Sequence, residues 1–400
     1  MTDAFHTPAL RRFAVFTAVS TFLLICIGGL VTSHEAGMAV PDWPNSFGYN
    51  MFFFPVSKWI GGIFYEHTHR LVASFVGLLI TVLAAWIWSR ESSGWIRWGG
   101  LAVFILGLGA LGQRNLVTFV MLAGVGVCCG LFALVLHFRE LESLCWLGMT
   151  AFFTVIVQGV LGGLRVTLYK DEIGIFHATL AQLLFLVLAA LALFTTSMWR
   201  KLKPIPTLRG SALLLKFVSA GVLILLQLIL GASMRHQHAG LAIPDFPLAY
   251  GRVWPALDGA AIDAYNQHRV EVNGDKPVTA FQIGLQMAHR LTAFLILTAV
   301  ILCLLRSSKE VGRRHVMTRL AWGWLGLIGV QIALGAATIW TGKSADIATA
   351  HVAVGALSLV TAGILSLLAY RVSSPVMESA AADEQNAAFL RSSRVVSSLR

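Results

Sequence analysis

Apolar residues along the chain fall into runs of about twenty, separated by short basic segments or by two long mixed loops. A bilayer core of about 30 Å takes roughly 20 apolar residues as helix. A segment in lipid must also bond its own backbone groups, so helix is the default. The runs predict ten helical spans, near residues 13–32, 70–89, 97–112, 116–137, 147–166, 175–198, 211–233, 287–305, 320–340 and 347–370. The third is short and Gly-rich, and Gln113-Arg114-Asn115 is expected to be a tight turn between it and the fourth. The first run has no small-residue cleavage site behind it and is expected to remain as a helix.

Composition agrees: of 400 residues, 57% are hydrophobic and 12% charged, against about 25% charged in a soluble domain. A soluble enzyme, a disordered chain and a secreted disulfide scaffold are excluded. The five cysteines (Cys26, Cys128, Cys129, Cys145, Cys303) form no CxxC pair and suggest neither a disulfide frame nor a zinc site. The formal charge of +11 is read as membrane orientation, so no nucleic acid partner is expected. Arg11, Arg12, Arg90, Arg97, Arg200, Lys201, Lys203, Arg209, Arg306, Lys309, Arg313, Arg314, Arg319 and Arg371 all fall on one side of a ten-span chain. That side is expected to be cytoplasmic, most simply at a bacterial cytoplasmic membrane, with both termini on it. The long loops 33–66 and 234–286 then lie outside. The polar tail after Pro375 is expected to be disordered.

The two long loops resemble each other. Ala36-Gly37-Met38-Ala39-Val40-Pro41-Asp42-Trp43-Pro44 is answered by Ala239-Gly240-Leu241-Ala242-Ile243-Pro244-Asp245-Phe246-Pro247, with Gly48 and Gly251 at matching places. His69-Arg70-Leu71 follows the first loop and His289-Arg290-Leu291 the second. Gln158-Gly159-Val160-Leu161-Gly162 is answered by Gln331-Ile332-Ala333-Leu334-Gly335, and each is followed by a span-opening His, His177 or His351. The chain therefore reads as a duplicated four-helix unit. Its expected fold is all-α and polytopic: tandem pseudosymmetric four-helix bundles plus an inserted two-helix hairpin. Residues 1–96 with 143–205 make the first bundle, 97–142 the hairpin, 206–372 the second bundle and 373–400 the tail. Cys128-Cys129 in the hairpin reads as packing, and His137 as a polar helix terminus.

Four histidines, His69, His177, His289 and His351, occupy repeat-related positions near the outer starts of spans. Polar residues in spans are costly and usually functional. Two His per bundle, on different helices at one level, suit the axial positions of a haem iron, whereas zinc wants three or four protein ligands. The halves differ at one informative place: Glu66 precedes His69 by three residues, and Gln286 stands at the equivalent position before His289. Residues three apart share a helix face, so one haem has a carboxylate beside it and the other an amide. That suggests one reactive site and one electron-transfer site, the plain alternative being that Glu66 is an interfacial cap in the loop-to-helix transition. His67 points away from His69 and is not expected to share its iron. Arg70 and Arg290 could pair with haem propionates or snorkel to the interface. The loops carrying Asp42, Trp43, Asp245 and Phe246 are expected as lids or as compact turn structures. His34, His236 and His238, in or near these loops, are candidates for propionate or substrate contacts, with exposed loop histidine the favoured reading.

The Glu-x-x-His-Arg at 66–70, the Gln-Gly-x-Leu-Gly-Gly at 158–163, His177 and the echoes at His289 and His351 together resemble the heme A synthase family. The resemblance covers both four-helix units. It implies oxidation of a ring methyl of heme O to a formyl group for use in terminal oxidases, through successive hydroxylations and loss of water. It implies that His289 and His351 ligate a haem b cofactor, that His69 and His177 face the substrate haem, and that Glu66 is the reactive-site carboxylate. Heme O synthase and terminal oxidase assembly are the implied partners, with an unidentified electron acceptor. Two features depart from the family pattern: the two extra spans, and the absence of any Cys from loop 33–66, where some members carry a pair. The alternative reading is a non-catalytic diheme cytochrome in quinol-linked electron transfer, against which the one-sided Glu66 counts. A repeat-built transporter is a third, and would show spans broken at mid-membrane.

Overall fold

The computed structural model describes residues 7–92, 94–111, 144–170, 172–205, 212–273 and 277–373. Eleven helices lie among them: α1 (Pro8–Ser33), α2 (Gly61–Glu91), α3 (Gly94–Leu111), α4 (Leu144–Thr167), α5 (Glu172–Phe194), α6 (Ser197–Lys201), α7 (Ala212–His236), α8 (Gly259–Asn273), α9 (Ala280–Glu310), α10 (Val316–Trp340) and α11 (Ala345–Ser373). Eight of them, α1, α2, α4, α5, α7, α9, α10 and α11, are long and apolar enough to cross a membrane. The chain is a multi-pass helical membrane protein. Of the ten spans expected, the third appears as the 18-residue α3 and is not one of the eight. The fourth, 116–137, with Cys128, Cys129 and His137, lies outside the described residues, as do Arg209 and the tail from 374.

Helix boundaries differ from the hydropathy reading for local reasons. Helix α2 starts nine residues before the expected 70, and α9 seven before the expected 287. Their first two turns carry polar side chains that turn inward, Glu66 and His67 in α2 and Gln286 in α9, and average hydropathy misses them. A capping box fixes the start of α9: the Thr279 hydroxyl accepts from Gln282 N, and the Gln282 carbonyl oxygen accepts from Thr279 N, satisfying two of the end's orphan donors. Helix α5 stops at Phe194, four residues short of expectation. Thr195 and Thr196 bond back to the Ala192 and Leu193 carbonyls, and Thr196 caps α6.

The spans pack in two closed circuits. In the first, α1 meets α2, α2 meets α4, α4 meets α5, and α5 returns to α1; in the second, α7, α9, α10 and α11 close in the same order. Helices α1 and α5 pack on α11, and α5 also on α7. The first circuit is filled by Leu10, Ile80, Leu83, Trp88, Phe152 and Leu188, and the second by Phe217, Val300, Met317, Trp324 and Leu365. Helix α3 leans on α2, where Phe104 sits edge-on to Trp88 and to Phe152.

Both long loops fold at the same end, and each is built round a tight reversal. In the first, Asn45–Ser46 pairs antiparallel with Tyr49–Asn50, and Phe47 and Gly48 both take positive φ (51° and 75°). Positive φ at both central residues marks the turn that matches strand twist in a hairpin. The second loop repeats it, with a bridge between Ala249 and Arg252 and positive φ at Tyr250 and Gly251. The Asp42 carboxylate accepts from Phe47 N (2.6 Å) and Gly48 N (2.8 Å). Asp245 accepts likewise from Tyr250 N (2.7 Å) and Gly251 N (2.8 Å). The shared Pro-Asp-aromatic-Pro motif thus clamps a turn, and Trp43–Pro44 and Phe246–Pro247 are both cis. The second loop adds α8, whose Tyr265 ring stacks on Tyr250 at 3.6 Å. The Tyr250 hydroxyl donates to the Ala242 carbonyl. Burial pushes that phenol up to about 12, so it remains a donor throughout the neutral range.

Candidate functional site

A cavity of about 880 Å³ opens beneath the two loops and is lined from both circuits. That size lies at the upper end of ligand pockets. Its deep walls are apolar, including Ile25, Val76, Phe152, Val155, Leu228 and Ile332, and Trp43, Pro44, Phe246 and Pro247 roof it. The structure brings all four repeat-related histidines to this one space, together with Glu66 and Gln286.

Each histidine lies against a glycine of a neighbouring helix. A Cβ on Gly28 of α1 would stand 3.1 Å from the His69 ring, and one on Gly231 of α7 would stand 3.4 Å from His289. Gly162 of α4 faces His177 at 3.4 Å, and Gly335 of α10 faces His351 at 3.2 Å. These glycines are themselves repeat-related, so the imidazole notch is duplicated with the imidazole. A Gly28→Val substitution is expected to displace the His69 ring and weaken ligand binding in the first circuit about tenfold or more, since overpacking costs about 1–3 kcal/mol. The His289–His351 side should be unaffected, and separate absorbance titrations of the two sites check this.

Glutamines hold the helices that carry the rings. Gln158 Nε2 donates to the His177 carbonyl (3.0 Å) and Gln227 Nε2 to the His289 carbonyl (2.9 Å), while Gln331 Nε2 stands 3.4 Å from His351 Nε2. The Nδ1 atoms of His69, His177, His289 and His351 are buried and have no hydrogen-bond partner among the described residues.

Glu66 and Gln286 occupy the same place in their halves and perform the same backbone task. Glu66 Oε2 accepts from Val40 N (2.8 Å), and Gln286 Oε1 accepts from Ile243 N (2.7 Å). Both are nearly fully buried, at 4% and 2% exposure. They differ in charge. Glu66 Oε1 pairs with Arg70 Nη2 at 2.6 Å, while the Gln286 amide returns a bond to the Ile243 carbonyl at 3.3 Å.

Arg70 and Arg290, which could have met propionates, are tied to the loops. Arg70 Nη1 donates to the Asp42 and Asn45 carbonyls (2.6 and 2.9 Å), and Nη2 to the Val40 carbonyl (2.7 Å). Arg290 donates to the Leu248 and Asp245 carbonyls (2.8 and 2.7 Å) and lies over the Phe246 ring.

His67 is turned away from the cavity. It is fully buried under the first loop, with Nδ1 3.1 Å from Ser46 Oγ and its ring against Phe54 and Trp59. His34 stacks on Tyr65 outside the cavity, and His238 is exposed. His236 departs from expectation: α7 continues to it, and its ring packs on Gly174 of α5 at the cavity wall. Arg165 and Arg235 also line the cavity. The sequence reading passed over both, although each breaks the repeat.

The His289 and His351 ring centres are 6.4 Å apart, with the planes at 54°. A metal about 2 Å from each nitrogen, with each ring centre about 1 Å further back, separates the centres by about 6 Å. The spacing of the two ring centres therefore suits one iron held by both imidazoles. The apolar walls and cationic rim fit a large amphipathic acid.

Fold and site together define a polytopic helical membrane protein built round a histidine-lined cavity for a large, mostly apolar ligand. A family model described as COX15-CtaA, cytochrome oxidase assembly protein, matches residues 117–363. The chain belongs to this family. It is 23% identical to the heme A synthase of Halalkalibacterium halodurans over 88% of this chain and 94% of that protein. It is 22% identical to the heme A synthase of Lysinibacillus sphaericus (92% and 95%) and 24% identical to that of Rhizorhabdus wittichii (88% and 91%).

Proposed function

We propose that the protein is a heme A synthase, an oxidoreductase that converts a ring methyl of heme O to a formyl group by successive hydroxylations. The observation that carries the reading is the asymmetry of one cavity: two imidazole pairs, with an ionisable Glu66 beside one and Gln286 beside the other. The name borne by its relatives supports it. On this reading the two circuits are tandem pseudosymmetric four-helix bundles with a two-helix hairpin inserted at 97–142, ten spans in all. Both termini lie on the cytoplasmic side of a bacterial cytoplasmic membrane.

Within this reading His289 and His351 hold a haem b, which supplies one-electron chemistry. His69 and His177 seat heme O. Glu66 accepts a proton as the methyl is oxidised, and Arg70 beside it holds the carboxylate in place. The apolar walls and the roof of Trp43, Pro44, Phe246 and Pro247 limit water around the reacting edge. The substrate comes from a heme O synthase, and the product passes to terminal oxidase assembly. A diheme electron relay gives the difference between Glu66 and Gln286 no chemical use beyond loop anchoring.

The test is production of the full chain in a host that makes heme O and lacks heme A, followed by extraction of the pigments. Heme A beside haem b is expected. Heme O left unconverted, or haem b alone, would overturn the assignment.

A further inference from the structure

The cavity is much deeper in one circuit than in the other. Beneath the first imidazole pair its described lining reaches Thr81, twelve residues past His69 on α2, and Leu184, seven past His177 on α5. On the helices that supply the glycine notches it reaches Thr21, seven residues from Gly28, and Phe152, ten from Gly162. Beneath the second pair it stops at Phe294, five past His289, and at Val352, next to His351, while Gln227 and Gln331 stand only four from their notch glycines. At 1.5 Å per residue the first circuit holds a shaft about 10–18 Å long below its imidazoles, and the second a recess of about 2–8 Å. Thr21, Thr81, Phe152 and Leu184 are all nearly fully buried, so the bundle encloses the shaft, whereas Phe294 is 66% exposed.

The repeat accounts for the difference. Thr21 is answered by Ile224 and Gly77 by Leu297, and both of these apolar side chains pack in the core of the second circuit. Beside Gly77 there is room: an added Cβ would meet only Val155, at 3.9 Å. The shaft is apolar despite its hydroxyls. Thr21, Ser74 and Thr81 donate to the Thr17, Arg70 and Gly77 carbonyls at 2.9, 3.0 and 2.7 Å, so each donor is spent on its own helix. Gln182, which also lines the shaft, is different. Its Oε1 is buried and has no hydrogen-bond partner among the described residues, and Ala356 stands at its place in the second half.

We propose that the shaft takes the isoprenoid tail of a prenylated haem seated between His69 and His177, with Gln182 accepting a hydrogen bond from the hydroxyl at the root of the tail. This rests on the proposed function and deepens it. Heme O carries such a hydroxyl-bearing tail where haem b has a vinyl group, and the described lining has space for a tail only in the first circuit. Gln182 lies five residues past His177, about 8 Å deeper, near the edge of a ring centred between the imidazoles. The tail arrives from lipid, so its entry brings little hydrophobic gain. What it gains is close packing and a bond to an otherwise orphaned oxygen. A tail in the shaft also fixes the rotation of the ring about the line between the two imidazoles, and so which methyl faces Glu66.

The full-length protein, with haem b already in the second pair, is titrated with heme O and with further haem b, and binding at the first pair is followed by absorbance. The wild type is expected to bind heme O about tenfold more tightly than haem b. Gly77→Leu, which puts the second half's residue into the shaft, should cut that preference to about twofold or less by weakening heme O alone. Gln182→Ala should weaken heme O about threefold and leave haem b unchanged. Retention of the low-spin haem b spectrum reports that each variant is folded. If Gly77→Leu loses that spectrum, Thr21→Ile carries the test, with the same expected loss of preference. Equal binding of heme O and haem b by the wild type, or full preference kept by the plugged variant, overturns the tail site and leaves the shaft to a lipid chain, with the proposed function intact. Unchanged heme O binding by Gln182→Ala overturns the hydroxyl contact. Failure of the wild type to bind heme O at all overturns both the tail site and the proposed function.

Discussion

A Glu66→Gln protein is expected to keep its haem and to form heme A about 10²–10⁴-fold more slowly, the range that a positioned acid–base group contributes. The second half supplies the control. Gln286 holds Ile243 through its amide, accepting from the backbone nitrogen and donating to the carbonyl. A glutamine at 66 can hold Val40 in the same manner, so the first loop stays closed. Arg70 keeps its bonds to the Asp42, Asn45 and Val40 carbonyls. What is removed is the negative charge, with its proton affinity and its ion pair to Arg70. Heme A and heme O extracted from the variant give the rate loss, and the haem absorbance gives the occupancy. Normal heme A formation would assign Glu66 to loop anchoring alone.

His289→Ala is expected to abolish the low-spin haem b spectrum and, with it, net heme A formation. The 6.4 Å separation of the His289 and His351 ring centres leaves room for one iron and two bonds, and alanine removes one of them. Gly231, which leaves space for the imidazole, would then border a void. The first pair lies on α2 and α5, so heme O titration of the variant should still show binding there. A low-spin spectrum that survives His289→Ala would require a different ligand.

The membrane architecture was legible because lipid imposes a long, uniform signal. The eight long helices coincide with eight of the apolar runs; the four histidines line a single cavity, where the duplicated motifs implied two separate haem sites. The Glu66–Gln286 difference was also visible, since a repeat makes every unmatched residue conspicuous. Arg165 and Arg235 could have been found by the same comparison, against Thr338 and Thr32. Asp42 and Asp245 were less accessible. Their partners are backbone amides five and six residues ahead, and the signal was the aromatic-Gly pair at 47–48 and 250–251 that marks the reversal. The early starts of α2 and α9 were hidden because buried polar side chains lower local hydropathy without ending a helix. Helix α8 is polar and has no counterpart in the first loop, so neither hydropathy nor the repeat pointed to it.

On the proposed function, the shallow placement of the histidines bears on where electrons leave the protein. His69 is the ninth residue of α2, and 22 more follow before the helix ends at Glu91, a rise of about 33 Å at 1.5 Å per residue. His289 is likewise the tenth residue of α9, with 21 more to Glu310. Both imidazole pairs therefore lie close to the face that carries the two loops and nearly a full bilayer from the other. A redox carrier on the loop side, or one dissolved in that leaflet, would have a short path to a haem held by either pair. A carrier at the opposite face is separated by the whole packed length of both circuits. Electrons withdrawn from the substrate should leave through the loop-side half of the membrane.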